Sequence, residues 1–203
     1  MVERRNGQAR SKAGVTRGRI LDSTAVVLAE KGYTDTSLND IAKAAEMKAG
    51  SLYYHFESKD ALIEETLRFG IAQTHLRVSE AIETASGADP VEQLKLIIEA
   101  QAREALDRST YTAAHLRTIS QIPADMAARL RPEMSKFNGL WRDVLLSAQR
   151  SGAIRADVDA TSVTFIIIGA ISYSVEWPAS MRSHSEQAVR TLVEIVMSGL
   201  VPR

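Results

Sequence analysis

The 203-residue sequence contains no cysteine and only five prolines. The absence of cysteine excludes disulfide bonds, thiolate zinc sites and cysteine nucleophiles, and it fits a reducing compartment such as the cytoplasm. Long apolar runs are also missing, because the longest, at 165–171, is far shorter than the roughly 20 residues that cross a bilayer. The N-terminal region has arginines but no apolar segment, so no signal peptide is predicted. We therefore expect a soluble, cytoplasmic protein without a membrane partner.

Neither sign of charge predominates, because 25 lysines and arginines balance 25 aspartates and glutamates. The charges are nevertheless distributed unevenly along the chain. Residues 1–19 contain six arginines and lysines against Glu3 alone, so this segment carries +5 and the remainder −5. A basic arm on a mildly acidic body is typical of a chain end that meets a polyanion, although a solvated tail has the same composition.

Helical periodicity is nearly continuous, and no segment alternates apolar and polar residues in the manner of a strand. The pattern predicts an all-α fold of about nine helices. The predicted helices cover residues 16–31, 38–45, 48–55, 59–82, 90–107, 110–121, 124–150, 160–177 and 184–199. The small, turn-rich segment 84–90 is the clearest break. We predict a basic flexible arm at 1–15, an N-terminal domain at 16–60 and a C-terminal helical domain at 61–203.

Two short helices joined by a tight turn follow the first long helix. Ser37 and Asp40 have the spacing of a capping box, which begins the first short helix. The chain turns at Glu46 and Met47 and enters the second short helix at 48–55. This order predicts a helix-turn-helix unit, whose second helix enters the major groove of DNA. A pair of helices that only packs in the core has the same spacing, so this alternative stays open.

The segment 49–60, AGSLYYHFESKD, gathers scarce aromatic residues in a polar setting. Leu52 and Phe56 are four residues apart and are expected to face the core. Between them in the sequence lie Tyr53, Tyr54 and His55. These side chains face outward, where their polar ends can meet phosphates and base edges. The three small residues before Leu52 allow a close approach to DNA, and Ser58 is predicted to cap the next helix.

Residues 20–62 closely resemble the DNA-binding domain of the tetracycline-repressor (TetR) family of bacterial transcriptional regulators. The resemblance rests on the helix that ends at KGY, on TSLNDIAKAAEM and on GSLYYHFESKDAL, and it covers about a quarter of the chain. One departure is Leu28, where the family often has phenylalanine, and this is a substitution in the core. The resemblance implies a DNA-binding regulator with the helix-turn-helix unit described above.

The resemblance also implies a set of DNA contacts in the two short helices and just after them. These are Ser37, Asn39, Lys48, Ala49, Gly50, Ser51, Tyr53, Tyr54, His55 and Lys59. Tyr53 and Lys59 are expected to position the DNA backbone, and Lys48, Ala49 and Tyr54 to specify bases. Because the start of the helix carries small side chains, we expect DNA shape to contribute to recognition. The basic arm is a candidate for the adjacent minor groove.

Family members are typically homodimers, and the last two predicted helices support a dimer. The helix at 160–177 is apolar on nearly all sides and must be covered. The final helix carries an apolar stripe of Val189, Leu192, Val193, Val196, Met197 and Leu200. Two such helices from each subunit would form a four-helix interface, although both helices could instead be the core of one subunit. A two-fold dimer predicts a palindromic double-stranded operator with half-sites about 34–36 Å apart.

Aromatic residues with polar edges indicate where a small-molecule pocket is expected in the C-terminal domain. The candidates are Tyr111, His115, Phe137, Trp141, Tyr173 and Trp177. Phe137 and Trp141 also fit a plain core, and His115 fits a hydrogen-bonded core histidine. The segments at 134–159 and 172–178 resemble family members that respond to acyl-CoA thioesters or steroid catabolites. A small, largely apolar effector is therefore expected. As a mechanism, we hypothesise that its binding tilts the helix at 59–82 and lowers the affinity for DNA.

The four histidines form no i, i+4 metal pair, and the chain has neither a glycine-rich phosphate loop nor a GxSxG motif. We therefore expect no catalytic residue, metal or cofactor, and a repressor rather than an enzyme. Two alternatives stay open, namely a helical interaction module that has lost DNA binding and a transcriptional activator of the same family. The final residues LVPR match a protease site used in recombinant expression, and they are either a cloning remnant or native.

Overall fold

The computed structural model describes residues 12–106, 110–178, 180 and 184–202. In this part the chain is helical and has no strand. The α-helices, in chain order, are α1 (Lys12–Lys31), α2 (Leu38–Ala44), α3 (Ala49–Leu52), α4 (Lys59–Thr84), α5 (Pro90–Leu106), α6 (Thr110–Thr118), α7 (Ala124–Arg150), α8 (Ala160–Tyr173) and α9 (Ser185–Leu200). A short 3₁₀ turn follows α8. The predicted all-α class with about nine helices is confirmed for the described ranges.

Every helix except α7 differs from its predicted bounds by at least one residue, and α1, α3 and α8 differ most. α1 begins at Lys12, so the end of the predicted flexible arm is helical, while residues 1–11 lie outside the described residues. α3 contains only four residues and is shorter than predicted. α8 ends at Tyr173, and the predicted continuation is instead a 3₁₀ turn. The chain then leaves the helix at Trp177, which has the extended conformation that is favoured before a proline.

Local hydrogen bonds set the ends of the N-terminal helices. The backbone N–H of Asp40 donates to Ser37 Oγ at 3.2 Å, and the backbone N–H of Ser37 donates to Asp40 Oδ2 at 3.0 Å. The predicted capping box is therefore present. Ser58 caps α4 as predicted, because its Oγ accepts from the backbone N–H of Ala61 at 3.0 Å. Gly32 follows α1 with φ of 74°, a left-handed conformation that suits glycine at a helix end.

Two buried clusters join the N-terminal helices to the rest of the chain. The first holds α1 to the short helices and consists of Ile20, Leu21, Val27, Ile41, Ala42, Leu52, Phe56 and Leu62. The second lies between α1, α4, α6 and α7 and consists of Ala25, Leu28, Ile63, Leu67, Ala114, Ile122, Met126 and Leu130. Because α1 and α4 contribute to both clusters, the helix-turn-helix is packed directly on the C-terminal helices.

The C-terminal helices enclose a third and larger cluster. At its centre Trp141 is completely buried, and its Nε1 donates a hydrogen bond to Gln101 Oε1 at 2.7 Å. α7 continues as one helix through Pro132. Within the ranges given above, no helix combines the length and apolarity needed to cross a bilayer.

Candidate DNA-binding face and ligand cavity

The helix-turn-helix is held by three buried side chains and leaves its other side in solvent. Ile41 and Ala42 fix α2, and Leu52 fixes α3. Between the two helices Glu46 has φ of 53°, which is uncommon for a residue other than glycine and makes the sharp turn. The side of α2 and α3 that faces away from these anchors is the face on which DNA contacts were predicted.

The ten residues predicted to contact DNA differ in their exposure. Ser37, Asn39, Lys48, Gly50, Tyr53 and Tyr54 are exposed, and Ala49, Ser51, His55 and Lys59 are partly buried. Tyr53 is 61% exposed and Tyr54 is 88% exposed. Side chains of this size are usually well covered in a folded chain, so packing gives no reason for two adjacent exposed tyrosines.

The tyrosine pair follows the end of α3 and is not part of a longer helix, which corrects the predicted span 48–55. The backbone N–H groups of His55 and Phe56 both donate to the carbonyl of Leu52 at 2.9 Å. Phe56 is only 6% exposed, and its burial draws the chain back into the core before α4 begins. Tyr53 and Tyr54 therefore project from a turn at the tip of the unit.

Ser37 uses its hydroxyl for capping. Its Oγ donates to Asp40 Oδ2 at 2.6 Å, and Lys31 Nζ donates to Asp40 Oδ1 at 2.7 Å. The hydrogen bond from Lys31, followed by those from Ser37, holds the pKa of Asp40 at about 2. A phosphate contact from the Ser37 hydroxyl would have to replace its bond to Asp40.

Lys59 ties the start of α4 to the loop between α1 and α2. Its Nζ donates to the carbonyls of Tyr33 at 3.1 Å and Thr36 at 2.9 Å, and it lies 4.7 Å from the centroid of the Tyr33 ring. The Tyr33 hydroxyl donates to Asp60 Oδ1 at 2.9 Å, and burial together with this carboxylate raises the pKa of Tyr33. An ammonium group has three N–H bonds, so at most one of those on Lys59 is left for a phosphate.

Arg17 supports the segment after α3 and has no motif that marks it in the sequence. Its Nε donates to Glu65 Oε1 at 2.7 Å, and its NH1 donates to the carbonyl of His55 at 2.7 Å. The guanidinium carbon lies 4.2 Å from the centroid of the Phe56 ring. The two hydrogen-bond partners of Arg17 are 38 and 48 residues away from it in the sequence, so local sequence patterns could not reveal them.

Replacing Arg17 with methionine should lower the free energy of unfolding by about 1–2 kcal/mol. Methionine keeps the apolar stem but removes the ion pair, the bond to the backbone and the cation–π contact, all of which are partly solvated. Thermal denaturation measures the change. Arg19→Met is the control, because Arg19 is exposed on the same helix and its replacement should stay within about 0.5 kcal/mol. Equal destabilisation by both substitutions would contradict the supporting role of Arg17.

A cavity lies between α4, α5, α6, α7 and α8. Its volume is about 110 Å³, which is below the usual range of roughly 300–1,000 Å³ for small-molecule pockets. Its lining is mostly apolar with a few polar side chains: Gly70, Ile71, Thr74, Gln101, Glu104, Ala105, Tyr111, Thr112, His115, Met134, Phe137, Asn138, Ile168, Ile171 and Ser172. The lining from α4 and α5 was missed from the sequence, because it contains no aromatic residue.

Of the six predicted pocket residues, the structure brings Tyr111, His115 and Phe137 together around this cavity. The other three lie elsewhere. Trp141 is buried behind the lining, and Tyr173 is 62% exposed at the end of α8. Trp177 lines a separate surface groove with residues of α9, since the 3₁₀ turn carries it away from the cavity.

Tyr111 connects the cavity to the N-terminal helices. Its hydroxyl donates to Asp22 Oδ1 on α1 at 2.7 Å, and its ring centroid lies 5.3 Å from that of Phe69. A Cβ atom at Gly70 would be 2.9 Å from the Tyr111 Cβ, so the close packing requires glycine. Burial, with a contribution from the Asp22 carboxylate, raises the pKa of Tyr111, and the phenol therefore stays protonated as a donor.

Two further bonds fasten the α6 region to α1 and the loop that follows it. Arg117 NH1 donates to the carbonyl of Glu30 at 3.1 Å, and Gln121 Oε1 accepts from the backbone N–H of Thr34 at 3.1 Å. The Gln121 amide packs against Gly32, where a Cβ would approach it to 2.7 Å. α6 thus has one side on the cavity and another on the helix-turn-helix domain.

One apolar surface, formed by exposed residues of α8 and α9, is not covered by the described part of the chain. We call it the α8–α9 surface, and its members are Phe165, Ile166, Gly169, Ala170, Tyr173, Thr191 and Ile195. Phe165 is 58% exposed, and Ile166 and Ile195 are each 68% exposed. The opposite side of both helices is buried in the C-terminal core.

The predicted apolar stripe of the final helix mostly faces inward. Val189, Val193, Met197 and Leu200 are buried, and Leu192 and Val196 are partly buried. These six residues all pack in or against the C-terminal core of their own chain. The sequence pattern therefore identified the side of the helix that faces the core. The residues that this helix contributes to the α8–α9 surface are different ones.

Two family models match the chain. The model described as "Bacterial regulatory proteins, tetR family" matches residues 20–66, and "Tetracyclin repressor-like, C-terminal domain" matches residues 87–200. The HTH-type transcriptional repressor KstR2 of Mycobacterium tuberculosis (strain H37Rv) is 30% identical over 210 residues, which cover 98% of each chain.

Solved structures agree with this likeness. The ketosteroid transcriptional regulator KstR2 of Mycobacterium tuberculosis matches with a TM-score of 0.77 at 25% identity, over 98% of this chain and 100% of that one. The transcriptional regulator FadR from Bacillus subtilis, in complex with stearoyl-CoA, has a TM-score of 0.74 at 20% identity, over 90% and 98% of the two chains. The second likeness concerns the fold alone.

The C-terminal model by itself matches more than half of the chain, and the KstR2 relative extends over nearly all of it. The helix-turn-helix predicted from residues 20–62 is present, with its capping box, its left-handed turn and its exposed face. The chain therefore belongs to the tetracycline-repressor (TetR) family of bacterial transcriptional regulators, and it is a helix-turn-helix DNA-binding protein.

Proposed function

We propose that this chain is a repressor that binds a palindromic operator as a homodimer and releases it when a small, largely apolar effector enters the cavity. One observation carries the proposal. α6 lines the cavity with Tyr111 and His115, and the Tyr111 hydroxyl is bonded to Asp22 on the first helix of the DNA-binding domain. A ligand that moves α6 would therefore move α1.

On the DNA side, we propose that α3 enters the major groove by its N-terminal end. Ala49 and Gly50 have small side chains, which permit a close approach, and Lys48 stands exposed just before them. Because both tyrosines project from the turn after α3, we place both phenols on the phosphates that flank the groove, which revises the base contact expected of Tyr54. With few side chains at the helix start, DNA shape would share in the specificity.

The proposed dimer interface is the α8–α9 surface. Exposed apolar patches of this kind commonly mark contacts between protein subunits. Gly169 and Ala170 belong to it, and small residues allow two helices to approach closely. A second copy related by a two-fold axis would complete a four-helix interface and place the two α3 helices for half-sites about 34–36 Å apart.

Effector binding would act through α4 and α6 together. α4 runs from the helix-turn-helix to the cavity, where it contributes Gly70, Ile71 and Thr74. Since Tyr111 packs closely on Gly70, a ligand that displaces α6 also displaces α4. The effector must bind the released conformation better than the DNA-bound one, and such coupling typically amounts to about 1–3 kcal/mol.

For the effector we propose an acyl-CoA or another lipid-like metabolite. The mostly apolar lining supports this class, and so does the similar fold of a regulator solved with stearoyl-CoA. The effector would be bound and released unchanged.

Selection of genomic DNA fragments by the purified protein tests the proposal. We expect enrichment of a palindromic site, with an affinity that falls steeply as salt rises because phosphate contacts release counterions. Metabolites suggested by the neighbouring genes would then be screened for release of that site. Failure to enrich any fragment over a range of salt concentrations would contradict DNA binding. If none of the screened metabolites released the operator, the proposed response to an effector would be contradicted.

Replacing Tyr111 with phenylalanine should weaken the response of operator binding to the effector. It should affect the binding of the effector alone, or of operator DNA alone, much less. Phenylalanine keeps the ring against Gly70 but cannot donate to Asp22, so α6 loses one link to α1. We expect the fold-change in operator affinity caused by saturating effector to fall from a typical value of about 5–150 to a few-fold. Anisotropy of labelled operator with and without effector gives this ratio. Ser86→Ala, which removes an exposed hydroxyl from the turn after α4, is the control, and an unaltered ratio in Tyr111→Phe would rule out the Asp22 link as the route.

A further inference from the structure

His115 lines the cavity and carries a polar atom that no group of the described chain satisfies. It is a lining residue of α6, and its Nδ1 is closed to solvent with no hydrogen-bond partner among the described residues. An enclosed donor or acceptor without a partner destabilises the folded state by about 1–3 kcal/mol. Folding alone therefore gives no reason for a histidine at this position, whereas a ligand that supplies the missing partner does.

The ionisable side chains that face this position show which kind of ligand group can meet it. Burial lowers the pKa of His115, so its imidazole is neutral near neutral pH. Glu104 on α5 is paired with Arg77 on α4, and Tyr111 stays protonated. The described lining contains no lysine or arginine. A carboxylate or phosphate inside would thus be desolvated beside Glu104 without a countercharge, which is strongly unfavourable.

We propose that the effector places an uncharged oxygen, from a carbonyl or a hydroxyl group, against Nδ1 of His115, and that the remainder of its buried part is apolar. This inference rests on the proposed effector function of the cavity. The neutral imidazole serves both kinds of oxygen, because its Nδ1 donates to a carbonyl in one tautomer and accepts from a hydroxyl in the other. Any ionised headgroup of the effector lies outside the lining described above.

Four probes built on the same eight-membered carbon ring test this chemistry: cyclooctanone, cyclooctanol, cyclooctane and cyclooctanecarboxylate. Calorimetric titration should show that the ketone or the alcohol binds the wild-type protein about fivefold or more tightly than the hydrocarbon, since one buried polar group gains its partner. The carboxylate should bind least. The difference in affinity between the ketone and the alcohol also shows whether the site prefers a carbonyl or a hydroxyl oxygen.

Two variants locate the preference at His115. His115→Leu has a similar apolar volume and should abolish the advantage of the ketone and the alcohol over the hydrocarbon. His115→Asn keeps a polar group near the position of Nδ1 and should retain part of that advantage. His75→Leu, on the partly exposed side of α4, is the matched control and should bind the probes as the wild type does.

The ligand-free protein gives a second readout. His115→Leu should raise the melting temperature, because an unpaired polar atom is replaced by an apolar group. The folded-state pKa of His115 is lowered, so the wild type should lose stability as the pH falls through the unfolded-state value of about 6.5. His115→Leu should lack that loss, whereas His75→Leu should show it as the wild type does.

Three results would overturn the inference. They are equal binding of ketone and hydrocarbon by the wild type, strongest binding of the carboxylate, and an unchanged ketone advantage in His115→Leu. If an effector still releases operator DNA in any of these cases, the proposed function stands and only the role of His115 is wrong. Binding of none of the probes would also overturn the inference, while failure of the whole metabolite screen to release DNA would contradict the proposed function.

Discussion

Replacing Ile166 with aspartate should leave the chain monomeric and lower its operator affinity by about a hundredfold or more. Ile166 is 68% exposed on α8, so the substitution should not disturb the fold of the single chain. In a two-fold dimer the α8–α9 surface faces its own copy, and both aspartates would be enclosed without a countercharge. A buried unpaired charge costs about 3–5 kcal/mol, and the interface would contain two of them.

Operator affinity should fall because dimerisation and DNA binding are linked. A dimer that holds one half-site presents its second copy at high effective concentration, which commonly raises overall affinity by about 10²–10⁴-fold. A monomer lacks this gain, although its DNA-binding face is unchanged. Ile166→Asp should therefore bind an isolated half-site as the wild-type subunit does and lose affinity only for the full palindrome.

Sedimentation velocity gives the oligomeric state, and anisotropy with full and half operators gives the two affinities. Leu96→Asp is the matched control, because Leu96 is 39% exposed on α5 and lies outside the α8–α9 surface. This control should remain dimeric and bind the full operator normally. A dimeric Ile166→Asp with normal affinity would show that the subunits meet elsewhere.

The features that the sequence predicts well are decided by neighbouring residues. The Ser37–Asp40 capping box and the Ser58 cap both depend on a partner three positions away. Helical periodicity likewise reports which side of a helix is apolar. The ten proposed DNA contacts came from a resemblance that extends over such local patterns, and they stay predictions until DNA binding is measured.

The features that the sequence does not predict depend on residues far apart in the chain. Arg17 was counted only as a charge of the basic arm, whereas it bonds to Glu65 and to the backbone of His55. Lys59 was expected to be available to phosphate, yet its ammonium bonds to two carbonyls. Periodicity states that a side chain is charged or apolar, but only the packed chain decides what that side chain meets.

The cavity and the apolar surface illustrate the same limit. Aromatic content suggested Tyr111, His115 and Phe137, which line the cavity, but it also suggested Trp141, Tyr173 and Trp177, which do not. A strongly apolar helix can serve a core or an interface, and the sequence offered both for the final helices. The structure shows that each of these helices has one side buried in the core and another side that is exposed.

Replacing Tyr53 and Tyr54 together with alanine should reduce operator affinity by about a hundredfold or more while the chain stays folded and dimeric. Both side chains are mostly exposed and project from a turn, so their removal opens no cavity. If each phenol donates to a phosphate, a dimer loses four charge-assisted hydrogen bonds. Even about 1 kcal/mol for each gives a total that exceeds the roughly 2.7 kcal/mol of a hundredfold change.

Salt dependence separates this effect from the removal of a charge. Tyrosine is neutral, so the double variant should keep the wild-type slope of log affinity against log salt concentration at a lower affinity. Lys48→Ala should reduce that slope by about one for each phosphate that the lysine no longer neutralises. Leu76→Ala, at an exposed site on α4, controls for removal of surface area and should leave the affinity unchanged. Wild-type affinity in the Tyr53/Tyr54 variant would mean that these exposed tyrosines do not meet DNA, and the interface would then have to be sought closer to the N-terminal end of α3.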